Sequence, residues 1–141
     1  MKNKNGYSLV EILAVIALIS VIMLLVVPNV IEYLNQGRKT TFYDEVLNIY
    51  KTVSPTYISR SSDGDYRTKF CKSDSNLNLL DMSDKQDIYY NIDVNTDGEV
   101  IRMEIMNKKY YIIVENINGI KKSDIKIDDI VDSKDKTMSA C

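Results

Sequence analysis

An apolar run near the N-terminus constrains this chain more than any other feature of its sequence. Residues 12–27 contain a single polar residue, Ser20, and Glu11 stands directly before them. With its flanking residues the run reaches the roughly 20 residues needed to span a bilayer. A carboxylate at such a depth is retained when it has a partner or a function, although an acid near a helix end can also simply extend to the interface. The sequence therefore predicts a membrane-spanning helix with one acid to be explained.

The residues around the run indicate its orientation. Residues 1–6 contain Lys2 and Lys4 and no acid, which places the N-terminus in the cytoplasm and the rest of the chain outside. A cleaved secretory signal would need a small-residue site after the run, and the stretch VVPNVIEYLNQG has none. The polar-to-apolar junction lies instead before the run, at Gly6–Tyr7.

Two lysines, Gly6 and the sequence YSLVE before the apolar run together resemble the prepilin signature of type IV pilins and of secretion and competence pseudopilins. The resemblance implies that a prepilin peptidase cleaves after Gly6, that Tyr7 is N-methylated, and that the apolar helix is retained. Glu11 matches the acid of the family and Pro28 its helix-bending proline. Tyr7 replaces the commoner phenylalanine. Ser20 stands where many members have glycine, which leaves Pro28 as the main local helix-breaker.

This resemblance suggests a role for Glu11. Cleavage creates an ammonium group on Tyr7, and a neighbouring subunit can offer that cation to Glu11. Because an unpaired charge in an apolar layer is costly, we expect the pair to fix the stagger between subunits. The implied organisation is a leader at 1–6, a transmembrane and assembly half-helix at 7–28, and a soluble head at 29–141.

Beyond Pro28 the apolar pattern becomes a stripe, which predicts an amphipathic helix that continues from about residue 8 to Ser54, where Pro55 follows. The apolar residues that recur at helical intervals are Val30, Ile31, Leu34, Phe42, Val46, Leu47, Ile49, Tyr50 and Val53.

Alternating residues in 88–94, 101–106 and 110–115 predict an antiparallel meander, in which Ile101 belongs to the core-facing set. The expected fold is α+β, with a long helix packed on three to four strands. Residues 59–69 read as a polar loop with a turn at Asp63–Gly64, and 76–82 as either a short helix or a strand. The polar last ten residues are expected to be loosely held unless tied down.

The stretch DVNTDGEVIRME fits the spacing of a calcium-binding EF-hand loop, with Asp93, Asn95, Asp97 and Glu104 as side-chain ligands. An EF-hand needs a helix on each side, whereas both flanks here have strand patterns. A strand would also carry Glu104 too far along to close around an ion. The pattern therefore favours a hairpin turn at Asp97–Gly98, with calcium as an alternative.

The composition excludes several other functions. The 18 basic and 20 acidic residues give a net charge of −2, so nucleic-acid binding is not expected. The absence of histidine removes the commonest metal ligand and general base, and we find no catalytic constellation. Cys71 and Cys141 are the only cysteines. Outside a membrane they are expected to form one disulfide, with two free thiols as the alternative.

The sequence therefore predicts a structural subunit without a cofactor that assembles into a type IV pilus or a related secretion or competence filament. Its expected partners are copies of itself, other pilins, a prepilin peptidase and the membrane with its assembly platform. We expect a single-pass membrane protein before assembly and a cell-surface filament afterwards. The alternative is a membrane-tethered extracytoplasmic binding domain that never polymerises, with calcium as a candidate ligand.

Overall fold

A computed structural model of the protein describes residues 6–73, 80 and 87–141. These residues form one long helix, α1, followed by an antiparallel sheet with the strand order β1-β2-β3-β4-β5. Lys2, Lys4 and most of the segment 76–82 lie outside the described residues. The chain divides after Arg38 into two compact units. The elements are α1 Leu9–Ser62, β1 Lys69–Lys72, β2 Tyr89–Val94, β3 Val100–Met106, β4 Tyr110–Glu115, two short 3-10 helices at Lys122–Asp124 and Ile127–Asp129, and β5 Val131–Asp132.

Helix α1 continues past Pro55, so the predicted stop at Ser54 is wrong. A proline inside a helix costs about 3 kcal/mol because it removes a hydrogen bond and crowds the preceding turn. Burial beyond the proline offsets this cost: Thr56 and Tyr57 are both buried in the head. The Tyr57 hydroxyl also donates to the carbonyl oxygen of Thr96 at 3.0 Å. Tertiary packing therefore overrides the local signal.

The actual end of α1 lies at the predicted Asp63–Gly64 turn. The Gly64 amide donates to Ser61 and the Asp65 amide to Arg60, at 3.1 and 2.9 Å. With φ of +85° at Gly64, these bonds form the Schellman motif that terminates many helices. The turn signal in the sequence was therefore correct, but it belongs to the helix rather than to a polar loop.

The core lies between one face of the second half of α1 and the inner face of the sheet. Strands β2, β3 and β4 confirm the predicted meander, and the helix stripe packs on their inward-facing residues. The largest fully buried core side chains include Phe42, Ile49, Phe70, Ile92, Met103, Ile105 and Ile112. A bulge at Asp93/Val94 pairs Val94 with Val100. Val100 is therefore buried in place of the predicted Ile101, which is half-buried.

Four hydroxyl groups on the core-facing side of α1 hold the loops at the edge of the sheet. Each one donates to a backbone carbonyl group, at 2.7 to 3.2 Å: Tyr43 to Ile125, Tyr50 to Ile120, Ser54 to Gly98, and Tyr57 to Thr96. A loop carbonyl near an apolar core needs such a partner. These contacts explain why polar residues are interleaved with the apolar stripe.

The sheet has five strands rather than the three to four expected. Strand β1 was missed because four residues, two of them lysines, are too few to show an alternating pattern. Strand β5 has only two residues and pairs with Tyr110 and Tyr111. Both additions lie at the sheet edges, where pairing depends on the meander already being formed.

The β2–β3 turn generates a stability prediction. Gly98 has φ of +81°, and a Cβ atom added there would lie 2.6 Å from Cδ1 of Tyr57. Gly98→Ala therefore combines left-handed strain with a clash, and we expect it to lower the free energy of unfolding by about 2–4 kcal/mol. The measurement is urea unfolding of the full-length chain in detergent micelles, followed by tyrosine near-UV circular dichroism.

The matched control is Gly64→Ala. Gly64 also has positive φ, but an added Cβ would meet nothing within 4 Å. We expect this variant to lose about 1–2 kcal/mol from backbone strain alone. Equal losses in the two variants would show that packing against Tyr57 contributes nothing at Gly98.

Candidate functional site

The start of α1 is capped by its own side chains. The Ser8 amide donates to Oε2 of Glu11 at 2.7 Å, and the Glu11 amide donates to the Ser8 hydroxyl oxygen at 3.2 Å. This reciprocal pair is a capping box, which satisfies two of the amides left unpaired at a helix start. The spacing S-x-x-E before an apolar run is its sequence signal, but this cap was not predicted. Glu11 therefore has an intramolecular role in addition to the predicted one between subunits.

The first half of α1 has an exposed apolar surface. Every residue from 9 to 38 is exposed, and Leu9, Leu18 and Leu24 each expose more than 60% of their area. Two of its polar side chains bond within the helix: the Ser20 hydroxyl donates to the Ile16 carbonyl at 2.8 Å, and Asn29 Nδ2 to the Leu25 carbonyl at 3.1 Å. Among the described residues, α1 is the one helix long and apolar enough to cross a membrane, on length and composition.

The predicted processing and bending residues lie around this segment. Gly6 and Tyr7 precede α1 in exposed, non-helical backbone. Among the described atoms, a Cβ built on Gly6 would meet nothing within 4 Å, so there is room for a side chain at this position. Pro28 lies inside α1, which continues through it.

The calcium-like pattern forms the β2–β3 hairpin. Oδ1 of Asn95 accepts from the amides of Asp97 and Glu99, at 3.0 and 2.9 Å, and the Gly98 amide donates to the Asn95 carbonyl oxygen at 3.0 Å. The Asn95 oxygen that would bind calcium therefore stabilises the predicted turn. Across the described ranges, no group of three or more acidic, cysteine or histidine side chains is placed to hold a metal ion.

Glu104, the last residue of that pattern, lies instead under the C-terminal end of the chain. Its side chain is almost fully buried on the face of the sheet opposite α1. Both carboxylate oxygens accept from the Ser139 amide at 3.2 Å, and Oε1 accepts from the Tyr111 hydroxyl at 2.8 Å. Oε2 also pairs with Nη2 of Arg102 at 3.0 Å. This buried carboxylate was not predicted, since the alternation of β3 marks it only as a surface residue.

Residues 133–141, which we call the C-terminal strap, are anchored in two ways. The predicted disulfide joins Cys71 to Cys141, with Cα atoms 5.8 Å apart and a sequence separation of 70. Such a bridge contributes on the order of 4 kcal/mol in the chain-entropy model. Nδ2 of Asn91 adds hydrogen bonds to the carbonyl oxygens of Ser139 and Ala140, at 3.2 and 3.4 Å. The tail is therefore tied down rather than loose.

The environment of Glu104 shifts two pKa values. Burial opposes ionisation of its carboxyl group, but the hydrogen bonds from Tyr111, Ser139 and Arg102 outweigh burial and lower the pKa of Glu104. Burial, followed by the bond to this carboxylate, raises the pKa of Tyr111 to about 12. Glu104 is thus held as an anion and Tyr111 as a neutral donor.

The comparisons with known proteins identify the N-terminal segment. Residues 1–27 match the family model of the prokaryotic N-terminal methylation motif, which is the signature of type IV pilins and pseudopilins. No curated protein and no solved structure matches the chain. The match ends where the apolar segment ends, so it describes the helix start and leaves the head to be interpreted from its own geometry.

The buried carboxylate generates a pH prediction. Well above pH 4.5, the ordinary pKa of a glutamate, the carboxyl group is ionised in both the folded and the unfolded state, so its stabilising contribution is complete. As the pH falls, the unfolded state takes up the proton first, and the contribution is lost through the lower pKa of the folded state. Glu104→Gln should reduce stability by about 1–3 kcal/mol at pH 7 and show a weaker decline in acid than the wild type.

Urea unfolding of the full-length chain at several pH values between 7 and 3 provides the measurement. Glu115→Gln is the control, because Glu115 also bonds Arg102 but leaves 61% of its side chain exposed. We expect little change in that variant. Parallel acid curves for the wild type and Glu104→Gln would contradict the assignment.

Proposed function

We propose that this protein is the precursor of a structural filament subunit. It is cleaved after Gly6, methylated on the new N-terminal Tyr7, and polymerises through the first half of α1 into a type IV pilus or a related secretion or competence filament. The supporting observation is that the methylation motif leads directly into the first half of α1, in which every apolar side chain from residue 9 to residue 38 is exposed. This combination is typical of a structural subunit rather than an enzyme.

In this proposal the apolar half of α1 is surrounded first by lipid and then by neighbouring helices. Before assembly it lies in the membrane, with residues 1–6 on the cytoplasmic side and the head outside. During assembly it leaves the lipid and packs against the same segment of neighbouring subunits. Copies of this chain and other pilins are the partners in the filament, and the prepilin peptidase and the assembly platform act before it.

The charge on Glu11 selects the register of assembly. The capping box uses hydrogen bonds from Ser8, but Glu11 forms no ion pair within the described residues. Its negative charge is therefore available to the Tyr7 ammonium of a neighbouring subunit. Pairing removes the cost of two charges in an apolar layer, and any other stagger leaves both charges unpaired.

Cleavage is tested by co-expression with a prepilin peptidase, followed by intact-mass analysis of the membrane fraction. We expect the wild-type chain to lose residues 1–6 and to gain one methyl group on Tyr7. Gly6→Val should remain uncleaved, because a branched side chain directly before the cleaved bond would obstruct the peptidase. Gly37→Val, which makes the same change away from the junction, should be processed normally. An uncleaved wild-type chain would favour the membrane-tethered alternative.

The role of Glu11 is tested by separating its charge from its capping bond. Glu11→Gln keeps a side-chain oxygen that can accept from the Ser8 amide but removes the charge. Ser8→Ala keeps the charge and loses one capping bond, at a cost of about 0.5–2 kcal/mol. We expect Glu11→Gln to accumulate in the membrane and fail to enter filaments, while Ser8→Ala enters them.

The measurement is the fraction of each variant in sheared surface filaments when it is co-expressed with the wild type, relative to the fraction in the membrane. If Glu11→Gln enters filaments as well as the wild type does, the charge has no role in the register. Exclusion of Ser8→Ala alone would assign the function of Glu11 to helix capping.

A further inference from the structure

The last residues of the C-terminal strap are held on the sheet by side chains rather than by strand pairing. Strand β5 ends at Asp132, and the strap adds no further strand to the sheet. Its last residues lie instead on the face opposite α1, where side chains of β1, β2 and β3 contact it. The strap contributes nothing to the apolar core, whose last member along the chain is Ile130.

The contacts are made mainly with the backbone of the strap. Asn91 and Glu104 are direct cross-strand partners. Together they bind both polar groups of an extended backbone, the carbonyl oxygen and the amide. Nδ2 of Asn91 donates to the carbonyl oxygens of Ser139 and Ala140, while the Glu104 carboxylate accepts from the Ser139 amide. Nζ of Lys69 also reaches the Ala140 carbonyl oxygen at 3.5 Å. Strap side chains make fewer contacts: besides the disulfide, Nη2 of Arg102 donates to the Ser139 hydroxyl at 2.8 Å, and Nζ of Lys136 lies 6.0 Å from the centre of the Tyr111 ring.

The site is built into the sheet rather than created by a surface contact. The side chains of Asn91 and Glu104 are essentially inaccessible to solvent. Oδ1 of Asn91 is buried without a hydrogen-bond partner in the described part of the chain. The amide is therefore oriented to serve the strap carbonyls, even though its own oxygen is left unsatisfied.

We infer that Asn91 and Glu104 form a docking site for an extended peptide backbone, which the C-terminal strap fills as long as the Cys71–Cys141 disulfide holds it there. Reduction of the disulfide releases the strap and opens the site to solvent, while the helix and sheet stay folded. This inference does not depend on filament assembly.

The redox step is an ordinary thiol–disulfide exchange. A dithiol reductant breaks the bond between the two sulfur atoms through a mixed disulfide and is itself oxidised to a disulfide. Cys71 and Cys141 each gain one electron and one proton and become thiols.

The experiment is hydrogen exchange with mass spectrometry on the full-length chain in detergent micelles, before and after treatment with dithiothreitol. We expect exchange in peptides that contain Ser139 to rise about tenfold or more on reduction, as for a locally opened segment. Peptides from β2, β3 and β4 should keep their protection. Cys141→Ser should reach the same open state without reductant.

Two results would overturn the inference. Unchanged exchange in the strap after reduction would mean that the disulfide does not keep the site filled. Loss of protection in β2 to β4 together with the strap would mean that the strap is part of the cooperative fold and not a separable ligand.

A second comparison tests the docking site itself in the oxidised protein. Glu104→Gln has one carboxamide oxygen in place of two carboxylate oxygens, so we expect exchange in the strap to rise several-fold. Glu115→Gln should leave strap exchange unchanged, because Glu115 bonds Arg102 but not the strap. Equal strap exchange in the wild type and Glu104→Gln would remove Glu104 from the site.

Discussion

The structure depends on keeping one apolar half-helix away from water. Each large aliphatic side chain between Leu9 and Val27 would cost about 1.5–3 kcal/mol if it were exposed to water rather than buried. Lipid tails and neighbouring helices satisfy this need almost equally, so the hydrophobic effect does not by itself drive the exchange between them. Close packing and the few polar groups of the segment must decide it. This is why the polar residues carry more information about assembly than the apolar majority.

The polar side chains of this segment illustrate the point. Ser20 and Asn29 each donate to a carbonyl group one turn earlier, at Ile16 and Leu25, so these two donated hydrogens are satisfied within the helix. These groups are compatible with lipid and with a filament alike. Glu11 differs, because its carboxylate accepts one bond from the Ser8 amide and forms no ion pair within the described residues. In the proposed filament, a cation from a neighbouring subunit compensates the carboxylate charge.

Much of the fold could be predicted from local pattern, and the errors have physical causes. The alternation in β2, β3 and β4 reflects burial of one face, so their positions followed directly from the sequence. Pro55 was misread because the packing of Tyr57 lies outside the reach of a local signal. The buried Glu104 was missed for a related reason: its burial depends on a strap that arrives 35 residues later in the chain. The capping box at Ser8 and Glu11 was also missed, although its signal lies within four consecutive residues.

Glu104 and Glu11 are both carboxylates, but their surroundings differ. Glu104 is buried among donors from Arg102, Tyr111 and Ser139, all supplied by its own chain. Because its charge is compensated internally, it stabilises the head and has no need of another molecule. Glu11 lies at the start of an exposed helix, where its carboxylate accepts from the Ser8 amide and pairs with no cation of the described residues. Such an uncompensated charge favours a partner that brings positive charge, and in the proposed filament the ammonium of a neighbouring Tyr7 meets that requirement. Under the proposed function, Glu104 therefore completes its own subunit, whereas Glu11 selects the next one.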